Sequence, residues 1–451
     1  MKAKRLLSSL LTAAIAAWGL QAAAEVIYIV PNGTGSGTSW EDGANISSLA
    51  KKVDVEAWIK EGNYTIDAGF YLGQGAQLYG GFKGNETSFD QRDKTIRPVL
   101  TSNCTMMSVG GNSTSRTVYF DGLEIANCDL LSAGNRIIIE VYGSAQFNNC
   151  IFRNNKATET AGILAYAGCD LTISNCLFAN NTVSSKFGIM RSQGDVTLCN
   201  TTIVNNVGSG NFDWNRVGGI FIEKGNVRFY NTILWGNTPG NIRCDATSGA
   251  SVEFSNTAIG LTENADGRNT WGYDYLITES QKEGSQIVIN DNCIKLAMDN
   301  NQDNGDAKAP LFVDPENGDF HLSSTSPLIA AGDDPAGLLG TAYDLDGNPC
   351  IDDDLNIDLG AYQYSGTSSA ISHINAEKSA VVCYPNPVSD VLYIRAINAY
   401  QADVYSITGT LVLSSNILAS GQLQVKDLAP GFYQIVIKTT NGTVSSSIIK
   451  Q

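Results

Sequence analysis

Charge is scarce in this chain, and positive charge scarcer still. Only 16 % of the 451 residues are charged, and 29 Lys and Arg face 45 Asp and Glu, a formal net charge of −16. That deficit excludes the basic face that nucleic acid requires, and it would repel a strongly anionic polysaccharide unless cations intervene. Histidine is almost missing: His321 and His373 stand alone, and neither has the neighbours of a catalytic dyad. Paired C-x-x-C spacings are missing, which argues against structural zinc. Apolar runs of the roughly 20 residues that span a bilayer are missing too, so the chain does not read as transmembrane. The longest, Leu6 to Leu20, follows Lys2, Lys4 and Arg5 and precedes Ala22-Ala23-Ala24, and residues 1–24 read as a removable secretory leader. No Cys follows the expected cleavage point, which weighs against a lipoprotein. All ten Cys lie in the exported part, where disulfides are permitted, but spacing alone does not pair them.

What is abundant is glycine, 45 residues, together with one recurring phrase. It reads FNNCIFRNN from Phe147, ISNCLFANN from Ile173, LCNTTIVNN from Leu198 and FYNTILWGN from Phe229, with looser copies at Phe120 and Phe254. Alignment puts Asn127, Asn149, Asn175, Asn200, Asn231 and Asn256 in one column, with steps of 22, 26, 25, 31 and 25 residues. Cys128, Cys150, Cys176, Thr201, Thr232 and Thr257 fill the next column, where small inward stacking is the simplest reading. Gly143, Gly168, Gly194, Gly225 and Gly249 precede the Asn residues. Between the columns apolar residues alternate, as Leu171 and Ile173 do, with the strand period of two. No repeat holds a helical run, because Gly and Asn interrupt every few positions.

Each repeat is therefore expected to be three short strands, one coil of a solenoid whose strands pair with the coils above and below. The pattern resembles right-handed parallel β-helix proteins of pectate-lyase-like architecture. The expected fold is all-β, a parallel β-helix with terminal caps followed by a small β-sandwich. The Asn column is expected to be its internal ladder. Residues 25–104 resemble the amino cap of bacterial surface β-helices on the phrase Leu78 to Phe82, Gly84, Glu86, with Arg92 and Asp93 forming a structural ion pair. Coils are expected over 105–300, a C-terminal cap over 301–365 and a linker over 366–380. PLFVDP from Pro310, SPLIAAGD from Ser326, DLDGNPC from Asp344 and DLGAYQY from Asp358 resemble the closing region of the choice-of-anchor surface family, with Cys350 where that pattern has Arg.

Residues 381–451 alternate strand-like segments with Pro, Gly and Asn and suggest the small sandwich. YPNP at Tyr384 to Pro387, VYSITG at Val404 to Gly409, Leu428 to Tyr433 and the closing IIKQ resemble the type A sorting domain of type IX secretion. That resemblance implies recognition by the type IX machinery, export to the outer surface of a Gram-negative cell or the medium, and attachment to surface glycolipid.

Function is expected at the irregularities. The 31-residue step inserts a loop carrying Asp213, Trp214, Asn215 and Arg216, a flat ring among hydrogen-bonding groups that suits a sugar. Arg191 aligns with Ala165 and Ile222, with no acidic cluster at that level. Trp271, Tyr273 and Tyr275 would share one side of a strand; an aromatic cover over the helix side is the plainer reading. Asp344, Asp346 and Asn348 alternate oxygen ligands as a calcium loop can, although Leu355 stands where an EF-hand has its twelfth-position acid. The two readings are a non-enzymatic surface protein contacting glycans, and a polysaccharide lyase or glycoside hydrolase. No catalytic residue is assigned.

Overall fold

The computed structural model describes residues 26–365 and 381–450, apart from 112–115, 132–135, 185–186, 210–216, 245–249, 264–268, 272–285, 291, 297–308, 335–338, 340–341, 353–354, 385–387, 397–398, 407–410, 418–420 and 440–441. Strands pair in parallel up the stack in three faces: a ten-stranded first face beginning at Val26–Ile29, a second beginning at Asn63–Ile66, and a seven-stranded third beginning at Phe70–Leu72. The coils therefore start within the expected amino cap. Those first coils lack the Asn phrase, and so they escape a search for it.

The interior is built in columns. On the first face Leu78, Phe120, Phe147, Ile173, Leu198, Phe229 and Phe254 follow one another in register and are all essentially fully buried. Phe120 and Phe147 stack with centroids 4.4 Å apart, and Phe229 and Phe254 4.9 Å apart. Each such ring removes enough apolar area from water to contribute about 1.5–3 kcal/mol.

Corners between faces require left-handed backbone, which Asn and Gly adopt at least cost. One corner, joining first to second face, is Gly122 and then Asn149, Asn175, Asn200, Asn231 and Asn256, with φ between 45° and 70°. The next corner is Asn127, Asn154, Asn180, Asn205 and Gly236, with φ between 54° and 65°. Asn127 thus belongs to the second corner: its N–H donates to Arg153 O, whereas Gly122 N–H donates to Asn148 O, one residue before Asn149.

The Asn127 to Asn256 column forms a side-chain ladder bond at Asn231 Nδ2, which donates to Asn200 Oδ1 (2.9 Å), but the continuous internal ladder lies elsewhere. The ladder is the residue after the second corner: Asn155, Asn181, Asn206, Asn237 and then Asn241, all with no exposed surface. Asn155 N–H donates to Asn181 Oδ1 (3.0 Å), Asn181 Nδ2 to Asn206 Oδ1 (2.8 Å), Asn206 Nδ2 to Asn237 Oδ1 (2.8 Å) and Asn237 Nδ2 to Asn241 Oδ1 (2.7 Å). Remaining amide hydrogens go to Ile125, Phe152, Phe178 and Ile203 carbonyls. Cys128 starts this column, its N–H donating to Asn155 Oδ1. Cys150, Cys176, Thr201, Thr232 and Thr257 are the buried inward stackers after the first corner.

The second face is apolar on both sides. Ile151, Leu177, Thr202, Ile233 and Ala258 form one outward column, and Ala179, Val204 and Trp235 another. The described residues of 309–364 cover them, with Phe320, Leu345 and Ala361 against Leu177 and Val204, and Leu322, Leu328 and Leu359 against Ile233 and Ala258. This segment was expected at the end of the stack; it runs along the side. Asn256 Nδ2 donates to Ala331 O, Asn231 Nδ2 to Asp333 O, and Asn200 Nδ2 to Asp358 O, while Arg97 Nη2 donates to Leu345 O. The first-corner Asn side chains thus face outward, under a strap.

The C-terminal domain has a three-stranded antiparallel sheet, Val381–Tyr384, Val391–Ala396 and Gln422–Gln424, and a four-stranded one, Ala399–Ser406, Leu411–Asn416, Gly431–Thr439 and Gly442–Lys450. Val388, Leu392, Val404, Ile435, Ile437 and Ile448 share its own core, as a small sandwich requires.

Candidate functional site on the third face

Strand alternation turns two columns of the third face outward. One runs Tyr71, Ser108, Glu140, Leu164, Arg191, Phe221, Arg243. The other follows the strand ends: Tyr142, Tyr166, Gln193 and Glu223, whose N–H groups donate one coil down. Arg191 therefore lies level with Leu164 and Phe221, not with Ala165 and Ile222. Gly188, at φ 69°, and Ile189 add one residue before the strand Met190–Ser192, which shifts the alignment by one.

An acidic partner for Arg191 is also present. Arg191 Nη2 and Nε contact Glu223 Oε2 at 2.6 and 2.7 Å, and Gln193 Nε2 donates to the same oxygen (3.0 Å). Burial acts to raise the Glu223 pKa, but the bonds from Gln193 and Arg191 outweigh it and hold the carboxyl below its usual range. The guanidinium also lies over the Phe187 ring, 3.9 Å from its centroid, and Phe187 meets Phe221 edge to face. One and two coils below Arg191, Tyr166 and Tyr142 stack with centroids 4.3 Å apart and an interplanar angle of 10°. Glu140 accepts from Ser108 Oγ (2.9 Å) and Tyr166 Oη (3.1 Å). Burial, and then the neighbouring Tyr142 and Glu140, push the Tyr166 pKa well up, so its phenol stays protonated. The result is a strip of stacked rings with a polar rim, both carboxylates hydrogen-bonded.

Sequence reasoning reached Arg191 alone in this strip. Glu140, Tyr142, Tyr166, Gln193 and Glu223 escaped it, although a Tyr one or two places before Gly143 and Gly168 was a visible signal. Asp213, Trp214, Asn215 and Arg216 lie outside the described residues, but the flanks of their loop, Val207–Gly208 and Val217, emerge at the corner that leads into the third face. Tyr273 and Tyr275 also lie outside. Trp271 ends a strand, Asn269–Trp271, that pairs antiparallel with Ala258–Glu263 opposite Leu261. The leader likewise falls outside the described residues.

The Asp344 loop is built as a turn. Asp344 is 1 % exposed, and its Oδ1 accepts from the N–H groups of Asp346 (2.9 Å) and Asn348 (2.7 Å). Its Oδ2 accepts from Asn348 Nδ2 (3.1 Å) and Gln363 N–H (2.8 Å). Asp352 and Asn356 repeat the motif. Both Asp344 oxygens are thus occupied by N–H donors, and among the described residues no group of three His, Cys, Asp or Glu is placed to hold a metal.

Asp346 instead turns to His321, whose Nε2 lies 2.6 Å from Asp346 Oδ2 while Nδ1 lies 2.6 Å from Asp319 Oδ1, the ring packing on Tyr362. Asp346 first, and Asp319 after it, raise the His321 pKa to about 9 against the opposing effect of burial. A raised pKa contributes stability that is complete below about 6.5 and is lost as pH rises through about 9. Thermal midpoints measured between pH 6 and 10 should fall more for the wild type than for His321→Gln; parallel profiles would show that this clasp does not hold the strap. Arg92 and Asp93 are also structural, but not as one pair: Arg92 meets Asp121 (3.3 Å) and Asp93 meets Lys83 (3.2 Å).

Known families match two stretches. Residues 92–259 match the right handed beta helix region, and residues 382–451 match the secretion system C-terminal sorting domain. No curated protein and no solved structure gives a match. The class is thereby defined: a right-handed parallel β-helix of about eight turns. More particularly, it is a β-helix with a type IX sorting domain, handled by that secretion machinery for export to the cell surface or the medium. Among the described residues no helix is long and apolar enough to cross a membrane.

Proposed function

We propose that this secreted protein contacts glycans through the outward strip of the third face, held at the outer cell surface and binding without cleaving. The observation that supports it most is the stacked Tyr142–Tyr166 pair, rimmed by Glu140 and followed up the stack by Gln193, Glu223 and Arg191. Aromatic surface receives the apolar side of a sugar ring while the rim exchanges hydrogen bonds with its hydroxyls. Coils about 4.8 Å apart offer such contacts repeatedly along an extended chain. Binding is favoured over cleavage because a lyase needs a free base to take a proton, whereas Arg191 is committed to Glu223 and that carboxyl is held below its usual range, which weakens it as a base.

A glycan array probed with the sorted, purified protein tests this. Positive spots should weaken about tenfold or more in the Tyr142→Ala/Tyr166→Ala variant, as expected from the ring surface removed. No binding to any glycan, or binding that ignores both tyrosines, would overturn the proposal. Unsaturated products from acidic polysaccharides, read by ultraviolet absorbance, would replace it with the lyase reading.

A further inference from the structure

The strap brings together two cysteines that stand far apart in the chain. Cys199 ends the strand Asp195–Cys199. Its neighbour Leu198 points into the core, so Cys199 points out, yet it is only 2 % exposed. It is covered by the strap, in a separate apolar cluster made of Cys199, Leu339, Cys350 and Ile357. Cys350, on the strap, has no exposed surface. Its Sγ donates to Asn175 Oδ1 (3.1 Å), while Cys199 Sγ donates to Asn200 Oδ1 (3.5 Å). Asn175 and Asn200 occupy the same corner in consecutive coils, because Ser174 pairs in register with Cys199. The two thiols thus approach one apolar contact from facing sides, each beside an asparagine of the same corner in consecutive coils. A disulfide there would draw the two sulfurs to about 2 Å as the strap seats on the coil.

We propose that Cys199 and Cys350 form a disulfide in the exported protein, fastening the strap to the coil beneath it. Both thiols are free in the structure, and the bond needs an oxidant, which we take to be a protein disulfide of the thiol-oxidase class met in the periplasm during export. One thiol loses its proton and attacks that disulfide, releasing one oxidant thiol and leaving a mixed disulfide. The second thiolate displaces the other oxidant sulfur, so the Cys199–Cys350 bond forms, two electrons pass to the oxidant, and the two protons end on its thiols.

The order of events follows from burial. Burial pushes the Cys199 thiol up to about 12 and Cys350 higher still, so neither reacts readily once the strap has closed. Pairing must accompany closure, and the finished bond is then shielded from reductant. Cys150 and Cys176 are poorer candidates. They lie inside the solenoid, their Sγ atoms donating to Asn148 O (3.2 Å) and Ser174 O (3.1 Å), and the coils they would join are already held by paired strands. A bond between Cys199 and Cys350 would instead close a long loop, where a crosslink restricts the unfolded chain most.

Peptide mapping decides the matter on wild-type protein collected after export, denatured with an alkylating agent and digested without reductant. A crosslinked peptide joining Cys199 to Cys350 in most molecules is the expected result. Alkyl label on both residues in most molecules, or either one bonded to a different cysteine, would overturn the proposal. As a second readout, protein reduced with dithiothreitol while unfolded and then refolded in it should melt several degrees lower than the oxidised wild type, with no such difference for Cys199→Ser/Cys350→Ser. An equal drop in the variant would count against it.

Discussion

Replacing Asn206 with alanine should cost the solenoid about 3–5 kcal/mol, the largest effect expected of any single substitution outside the aromatic columns. Asn206 is fully buried and serves three neighbours at once. Its Oδ1 accepts from the N–H (3.0 Å) and Nδ2 (2.8 Å) of Asn181, and its Nδ2 donates to Asn237 Oδ1 (2.8 Å) and Phe178 O (3.0 Å). Alanine leaves the Asn181 N–H, one Asn181 Nδ2 hydrogen and the Phe178 carbonyl without that partner, at about 1–3 kcal/mol for each group stranded in the core, while Asn237 Oδ1 keeps the backbone N–H of residue 206. Asn149→Ala at the outer corner should cost only about 1–2 kcal/mol, the left-handed backbone penalty and the bond to Asp121. Urea unfolding followed by circular dichroism compares the two. Equal losses would mean that the buried column is not the pillar its geometry describes.

Deleting Gly431–Gln451 should abolish delivery to the cell surface and the medium, with the protein accumulating in the periplasm. The deletion removes both nine-residue strands, Gly431–Thr439 and Gly442–Lys450, and with them Ile435, Ile437 and Ile448 of the C-terminal core. Ala399–Ser406 then keeps one strand partner instead of two. The solenoid has a separate core, so its thermal transition should persist. That persistence distinguishes lost sorting from lost folding, and undiminished surface display of the truncated chain would refute the assignment.

The architecture was legible because coil repetition writes itself into side-chain columns, as at Phe147, Ile173 and Leu198. Which asparagine lay inside was harder to read, since the phrase ends in two. The first Asn of each pair is there for its backbone and the second for its side chain, and both demands select the same residue type. The clue is Gly236: glycine replaces the corner residue, which needs only positive φ, but Asn237 is retained, because only an amide can continue the ladder.

The strap left a signal as well. Adjacent apolar residues at Ile151-Phe152, Leu177-Phe178 and Leu234-Trp235 break the alternation of a half-exposed sheet and mark strands covered on both sides. What covers them is a tertiary fact that no local pattern carries. The functional strip was hidden for a related reason. Its members come from separate coils, and the extra residue near Gly188 displaced Arg191 by one position, which in a strand exchanges one side for the other.

The strap's course carries a final implication about timing. The apolar outer wall of the second face is made early in synthesis, but the segment that shields it comes from residues 309–364. The sorting domain comes later still, from residue 382 onward. A chain truncated before the strap, with its greasy flank bare, therefore also lacks its export address. Because the address follows the shield in the chain, no C-terminal truncation can remove the strap and keep the sorting domain.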